Sequence, residues 1–244
     1  MTVTGGAVVP HAPVLIQGVG TAHAESTSAI RTAVDKIDPG ETDVLVIVSP
    51  HGRTTGIYST PTGSLQEFGI PGIDFSFTPS SEVAADLAAR WARPLIDEPI
   101  DHGCSVPPAL LDTSLPTVMC TLEWDDSTDG AARALGEGRS LAAALEGLEK
   151  RVFVVASAHG SAGIGPRAPL GERPVGETFD AELAAALNED PRRLLEIPAD
   201  RWHEAGACGA GPLATLGHLF ASGEAELLGY AHPFGVGYFV ARMG

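Results

Sequence analysis

The chain has 244 residues, of which 44% are hydrophobic, and its formal net charge at pH 7 is −16. A surface this acidic repels nucleic acid and anionic membranes, so neither is an expected partner. No hydrophobic run approaches the ~18 residues of a membrane helix, and the first residues lack the pattern of a signal peptide, so we expect a cytoplasmic protein.

Strand-like and helix-like segments largely alternate, which predicts one α/β domain over residues 1–244, with a mainly parallel or mixed central sheet and helices on both faces. In chain order, we predict strands at 6–9, 43–48, 117–122, 152–156, 225–231 and 236–241, and helices at 22–37, 81–93, 129–149, 179–188 and 212–221. Ser80 or Ser81 is the expected N-cap of the second helix. Residues 53–79 are rich in Gly, Pro, Ser and Thr, and we interpret them as a loop that covers a site.

Three of the predicted strands run directly into a histidine. His11 follows GGAVVP, His51 follows VLVIVSP and His159 follows VFVVASA. The carboxyl ends of parallel strands meet at one rim of a sheet, where α/β proteins bind ligands. Imidazole binds first-row metals and titrates near neutral pH, so the three histidines indicate a metal site, an acid/base site or both. The histidines without this setting are interpreted as surface or packing residues: His23, His203, His218 and His232.

Two further segments carry candidate residues. In DHGCSVPPALL, Asp101 and His102 either line the same cleft or form a turn, and composition alone favours the turn. In GACGAGPL, Cys208 lies between small residues before a predicted helix, where a thiolate is stabilised. Cys208 is therefore a metal ligand, a nucleophile or an inert buried residue. The chain has three cysteines, and an odd number without a secretory signal argues against a disulfide framework.

The order of these segments resembles that of the class III extradiol dioxygenase (LigB-like) superfamily, which includes the catalytic subunit of protocatechuate 4,5-dioxygenase, plant DOPA dioxygenase and the Memo-like proteins. The likeness covers nearly the whole chain. VVPHAP and VLVIVSPHG match two metal-histidine motifs, FGIPGIDFSFTPSSEVAADL matches a substrate-loop segment, and FVVASAHGSAG matches the strand of an acid/base histidine. DHGCSVPPALL matches the Asp-His-Gly…Val-Pro signature, which is the most specific of these motifs.

The resemblance implies a role for each candidate histidine. His11 and His51 would be metal ligands, His159 would be the acid/base residue, and His102 would hydrogen-bond the substrate. Asp101 and Phe68 would line the substrate-binding side of the site.

The third metal ligand is where the chain departs from the ring-cleaving pattern. In the ring-cleaving enzymes a glutamate completes a facial triad that holds Fe(II) with open positions. The corresponding position, four residues before a Pro-Leu pair, is Cys208 in this chain, and Memo-like proteins also have a cysteine there. Glu204 lies close by in sequence and is an alternative ligand.

The function that the resemblance implies is metal-dependent extradiol cleavage of a small catechol-like aromatic diol, with Fe(II) as the expected cofactor. Sulfur shifts metal preference towards Zn or Cu and is itself oxidisable. Two alternatives therefore remain open: a Memo-like metal-binding or ligand-binding protein without dioxygenase turnover, and a zinc hydrolase with a metal-bound water. Members of this superfamily are commonly oligomeric, so the resemblance also implies a homodimer.

Overall fold

The computed structural model describes residues 2–20 and 24–244, and within them eight strands form one mixed sheet. The strands are β1 (Val3–Val9), β2 (Val44–Ser49), β3 (Gly56–Tyr58), β4 (Thr62–Ser64), β5 (Asp74–Ser76), β6 (Leu95–Ile96), β7 (Thr117–Thr121), β8 (Val152–Ser157), β9 (Ala225–Ala231) and β10 (Tyr238–Met243). The sheet order is β6-β3-β7-β2-β8-β1-β10-β9, and β4 pairs with β5 in a separate small sheet.

The four central strands of the large sheet, β7, β2, β8 and β1, are parallel. Every residue of β2, β7 and β8 is buried, because helices cover both faces of a parallel sheet and the strands therefore read as continuous hydrophobic runs. The flanking strands β3 and β10 run antiparallel to their central neighbours. The predicted α/β fold with a mainly parallel or mixed sheet is confirmed.

In the described part of the chain, seven α-helices flank the sheet: α1 (Ala24–Val34), α2 (Ser81–Trp91), α3 (His102–Leu110), α4 (Thr128–Glu146), α5 (Gly176–Glu189), α6 (Ala199–Ala205) and α7 (Ala210–Leu219). Side chains alternate across β2, as the pleat of a strand requires. Val46 and Val48 pack with α2, α4, α5 and α7, whereas Leu45 and Ile47 pack with α1 and α3 on the other face. None of the described helices combines the length and hydrophobicity needed to cross a bilayer.

Two local predictions were wrong, and the predicted N-cap of α2 is correct in position only. The segment predicted as a turn begins α3, because the Asp101 carboxylate accepts a hydrogen bond from the Gly103 amide (2.9 Å) and so caps the helix. Residues 53–79 are not a plain loop, since they contain β3, β4 and β5. Ser80 occupies the N-cap position of α2, but its side chain makes no capping hydrogen bond. The first residues of the predicted 22–37 helix, with His23, lie outside the described part of the chain.

Candidate metal centre

Four histidines converge at the carboxyl ends of the parallel strands. The strands β2, β8 and β1 are adjacent, so the residues that follow them, His51, His159 and His11, meet at one rim of the sheet. The rings of His11 and His159 stack with their centroids 3.8 Å apart, and the ring of His51 lies 4.7 Å from that of His11. His102, the first residue of α3, places its ring 4.9 Å from that of His51.

Cys208 reaches this cluster from the short linker between α6 and α7. Gly206 ends α6 in the left-handed conformation (φ 62°), which turns the chain towards the sheet. A Cβ at Gly209 would lie 2.9 Å from the His159 carbonyl oxygen, so the linker packs directly on the backbone of His159. The Cys208 Sγ atom is buried 3.7 Å from His11 Nε2. Glu204 is exposed and its carboxylate pairs with Arg201 (3.7 Å), so it does not join the cluster.

The donor atoms form two overlapping groups, each with all members within 4.8 Å of one another. One group is His11, His159 and Cys208, and the other is His11, His51 and His102. The predicted ligands His51 and Cys208 therefore fall in different groups, and both can bind one ion only if a side chain moves. Imidazole nitrogen and thiolate sulfur are ligands for iron, zinc and copper, so the donor set fits a metal ion.

An unpartnered nitrogen supports this interpretation. The Nε2 atom of His159 is buried and has no hydrogen-bond partner among the described residues. Leaving a buried polar atom unpaired costs about 1–3 kcal/mol, so native structures rarely keep one unless it serves a ligand or a reaction. His159 belongs to the donor group that also contains His11 and Cys208.

The hydrogen-bond partner of His11 fixes its tautomer. The Ser157 hydroxyl lies 2.6 Å from the Gly103 carbonyl oxygen, which can only accept, so its single hydrogen is donated there. The same hydroxyl oxygen lies 2.9 Å from His11 Nδ1 and must therefore accept the Nδ1 hydrogen. Neutral His11 then has its lone pair on Nε2, the nitrogen that faces Cys208. His11 offers this one nitrogen, so the two donor groups compete for a single metal ion.

All five side chains of the cluster are uncharged in the metal-free protein at neutral pH. Burial lowers the pKa of His51 to about 4, helped by the neighbouring His102 and opposed by the Asp101 carboxylate. Burial also lowers the pKa of His102 to about 4 and holds the pKa of both His11 and His159 well below 6.5. Burial raises the pKa of the Cys208 thiol to about 12. A metal that binds the sulfur must expel its proton, so metal affinity rises with pH.

We expect the metal-free protein to lose stability steeply in mild acid. Burial lowers the pKa of the four histidines of the cluster and, to a lesser extent, that of the more exposed His218, and it raises the pKa of two carboxyls, Asp101 and Asp180. Below pH 6 the unfolded chain binds the histidine protons while the folded chain gains at most the two carboxyl protons. The folded state is thus about two protons short, and the free energy of unfolding falls by roughly 3 kcal/mol per pH unit towards pH 5.

Urea unfolding in EDTA at several pH values measures this slope. The variant His102→Gln removes one titrating group and should flatten the slope by about 1.4 kcal/mol per pH unit. A wild-type stability that stays constant between pH 6.5 and 5 would contradict burial of uncharged histidines.

A buried carboxylate holds the loop after His159 in place. Asp180 is 2% exposed and accepts hydrogen bonds from the Ser161 amide (2.7 Å) and the Tyr230 hydroxyl (2.8 Å). Gly160 and Gly237 lie so close to this carboxylate that a Cβ on either would come within 2.5 Å of it. Burial raises the pKa of Asp180 to about 6. The backbone around His159 is therefore tied to α5, β9 and the start of β10.

Aromatic side chains border the open side of the cluster. The Phe68 ring lies 4.6 Å from His102 and is 47% exposed, which places it at the mouth of the site. Phe68 and His102 line a depression of about 60 Å³ with Asp101. Ligand pockets typically measure roughly 300–1,000 Å³, so an aromatic ligand can enter only if these side chains move. A larger cavity, of about 650 Å³, lies at the opposite rim, where β1 begins, and its described lining residues include no histidine.

Four residues of the site were absent from the sequence prediction. Trp124 lies 5.7 Å from the His51 ring and follows β7, so the strand-end pattern that identified the histidines applies to it as well. Tyr238 lies 5.2 Å from the His159 ring. Ser157, Tyr238 and Asp180 act through contacts between distant parts of the chain, and no local pattern marks them.

The fold and the site together define an α/β protein with His/Cys donors able to hold a metal ion at the carboxyl ends of its parallel strands. The chain belongs to the family of the catalytic LigB subunit of aromatic ring-opening dioxygenase, whose sequence model matches residues 5–241. The predicted resemblance is thereby confirmed.

Two individual proteins are similar to the chain. Protein CA_C1420 of Clostridium acetobutylicum is 25% identical over 278 residues, an alignment that covers 100% of this chain and 58% of that protein. The chain thus spans little more than half the length of this relative. The crystal structure of uncharacterized protein JW3007 from Escherichia coli K12 is similar with a TM-score of 0.62, 18% identity, and coverage of 98% of this chain and 99% of that one. At this identity the likeness shows the fold.

Proposed function

We propose that the protein is a metal-dependent, extradiol dioxygenase-type enzyme that acts on a small catechol-like aromatic diol. The observation that carries the proposal is the convergence of four histidines and one cysteine in a chain of the LigB family. A site that only stores metal needs three or four donors, whereas this cluster has five. Two of them, His102 and His159, are therefore available for substrate binding and proton transfer. Fe(II), when bound, supplies the redox chemistry that ring opening with oxygen requires.

The proposed metal ligands are His11, His51 and Cys208. The free Nε2 of His11 faces the cluster, and Cys208 Sγ lies 3.7 Å from it. The His51 ring lies 4.7 Å from that of His11 and is only partly buried, so it has room to move towards the sulfur.

The proposed acid/base residue is His159. Its Nε2 is buried and has no hydrogen-bond partner among the described residues, and burial holds its pKa well below 6.5, so the ring is neutral and has a lone pair that can accept a proton from a diol hydroxyl. His102 stands between this cluster and the aromatic ring of Phe68, where it can hydrogen-bond a second hydroxyl. Asp101 Oδ2 lies 3.7 Å from His102 Nδ1 and favours the orientation in which that nitrogen faces the carboxylate.

The sulfur favours a second candidate function, a soft-metal protein without ring-cleaving turnover. Thiolate prefers zinc or copper(I) over iron and is oxidised by oxygen chemistry beside it. We therefore propose that the wild-type protein binds metal and cleaves simple catechols slowly.

Metal analysis of anaerobically purified protein, followed by Fe(II) loading and addition of catechol in air, tests the proposal. We expect one metal ion per chain, oxygen consumption that depends on both Fe(II) and the diol, and a yellow ring-opened product. Zinc at full occupancy with no oxygen uptake after iron loading would favour the second candidate. Absence of any bound metal would contradict both.

A further inference from the structure

Helix α3 contains two consecutive prolines, Pro107 and Pro108, beyond its first turn. In an α-helix each amide N–H donates to the carbonyl four residues earlier. An N–H at position 107 would therefore donate to the Gly103 carbonyl, and one at position 108 to the Cys104 carbonyl. Proline has no N–H, and its ring crowds that same carbonyl. The Gly103 carbonyl is therefore released from the helix and accepts the Ser157 hydroxyl at 2.6 Å instead.

Gly103 is itself required for this contact. A Cβ at that position would lie 2.3 Å from Ser49 Oγ and 3.0 Å from His51 Cβ, so only glycine lets α3 approach the ends of β2 and β8 this closely. Ser157 is completely buried and His11 is 1% exposed, so water does not compete for these hydrogen bonds.

We propose that Pro107 is a positioning residue for His11. Because Pro107 has no N–H, the Gly103 carbonyl accepts the hydrogen of the Ser157 hydroxyl instead. The Ser157 oxygen must then accept from His11, which keeps the His11 hydrogen on Nδ1. The Nε2 lone pair then faces Cys208 and the other donors. The consequence for metal binding rests on the proposed role of His11 as a ligand, but the tautomer itself does not.

The opposite arrangement shows what the proline prevents. If an N–H at position 107 occupied the Gly103 carbonyl, the Ser157 hydroxyl would be free to donate to His11 Nδ1. The His11 hydrogen would then move to Nε2 and stand between the ring and Cys208 Sγ, which is 3.7 Å away. A carbonyl oxygen has two lone pairs and can accept two donors, so the added N–H weakens the Ser157 hydrogen bond without excluding it, and the tautomer population shifts in part.

Two-bond 1H–15N correlation spectra of the metal-free protein report the tautomer of each histidine, and the His11 signals are assigned by their loss in His11→Gln. We expect the wild type to have the hydrogen on Nδ1, and Pro107→Ala to gain a population with the hydrogen on Nε2. Zinc affinity of Pro107→Ala, measured by chelator competition, should fall by about 10- to 100-fold, as for other groups that orient a metal ligand.

Pro108→Ala is the matched control, because it makes the same change one residue along the same helix. The N–H that it adds would donate to the Cys104 carbonyl and not to the Gly103 carbonyl. It should keep the wild-type tautomer and zinc affinity. In a Ser157→Ala background, Pro107→Ala should have no further effect, since the hydroxyl that links the two sites is gone.

A wild-type His11 with its hydrogen on Nε2 would overturn the inference, as would equal spectra for Pro107→Ala and Pro108→Ala. These outcomes are distinct from a failure of the proposed function. A protein that shows the expected tautomers but neither binds metal nor consumes oxygen would retain the inference and refute the function.

Discussion

The variant Cys208→Ala is expected to lose most of its metal. The sulfur is one of the three proposed ligands, and metal binding converts its neutral thiol, whose pKa burial raises to about 12, into a thiolate that neutralises part of the charge of the ion. Removal of a ligand costs more than removal of the groups that orient one, so affinity should fall by more than about 100-fold. Metal content after dialysis and chelator competition measure the loss.

Cys120→Ala is the control for this variant, because Cys120 is also a completely buried thiol but belongs to neither donor group. It should retain full metal content. Substitution with Co(II) adds a spectroscopic readout, since a cobalt–thiolate bond gives an intense charge-transfer band that only Cys208→Ala should abolish. Full metal content in Cys208→Ala would remove the sulfur from the ligand set.

The variant Cys208→Glu tests whether the sulfur ligand limits the rate of ring cleavage. Glutamate keeps the single negative charge and replaces the oxidisable ligand with oxygen, so a variant that folds should hold iron and form the ring-opened product faster than the wild type. The close packing of Gly206 and Gly209 against their neighbours leaves little room for the longer side chain, so thermal unfolding must accompany the assay. Rapid cleavage by the wild type itself would show that sulfur does not disable the site.

The rim of the sheet was predictable because it depends on local patterns. Continuous hydrophobic runs identified the buried parallel strands, and His11, His51 and His159 follow these runs within three residues, so they had to lie at the carboxyl ends of the strands. Adjacency of these three strands in the sheet was not readable from the runs, but it follows from the observed order β2-β8-β1.

The interior of the site was less predictable because its contacts join distant residues. Ser157 and Gly103 are separated by 54 positions, and Ser161 and Asp180 by 19, so no local pattern pairs them. The α3 segment was mistaken for a turn because Asp, Gly and Pro favour turns in isolation. In the folded chain the Asp101 cap and the burial of Cys104 and Val106 outweigh that local preference.

The last prediction concerns His159, which shares a donor group with Cys208. In the proposed function His159 transfers a proton and does not bind the metal. We expect His159→Ala to retain the metal content of the wild type and to reduce diol turnover by about 10²- to 10⁴-fold, the usual contribution of a positioned acid or base. Turnover is measured as the initial rate of ring-opened product in iron-loaded protein, and metal content is determined on the same samples.

His232→Ala provides a matched control, because His232 is an exposed histidine outside both donor groups, and it should leave rate and metal content unchanged. A second readout separates proton transfer from mere packing. If His159 accepts a proton from the diol, anaerobic diol binding by the wild type should proceed at a lower pH than in His159→Ala, which must rely on solvent to remove that proton. Loss of metal together with activity in His159→Ala would instead make His159 a ligand, and the ion would then be held by His11, His159 and Cys208, the donors that already lie within 4.8 Å of one another.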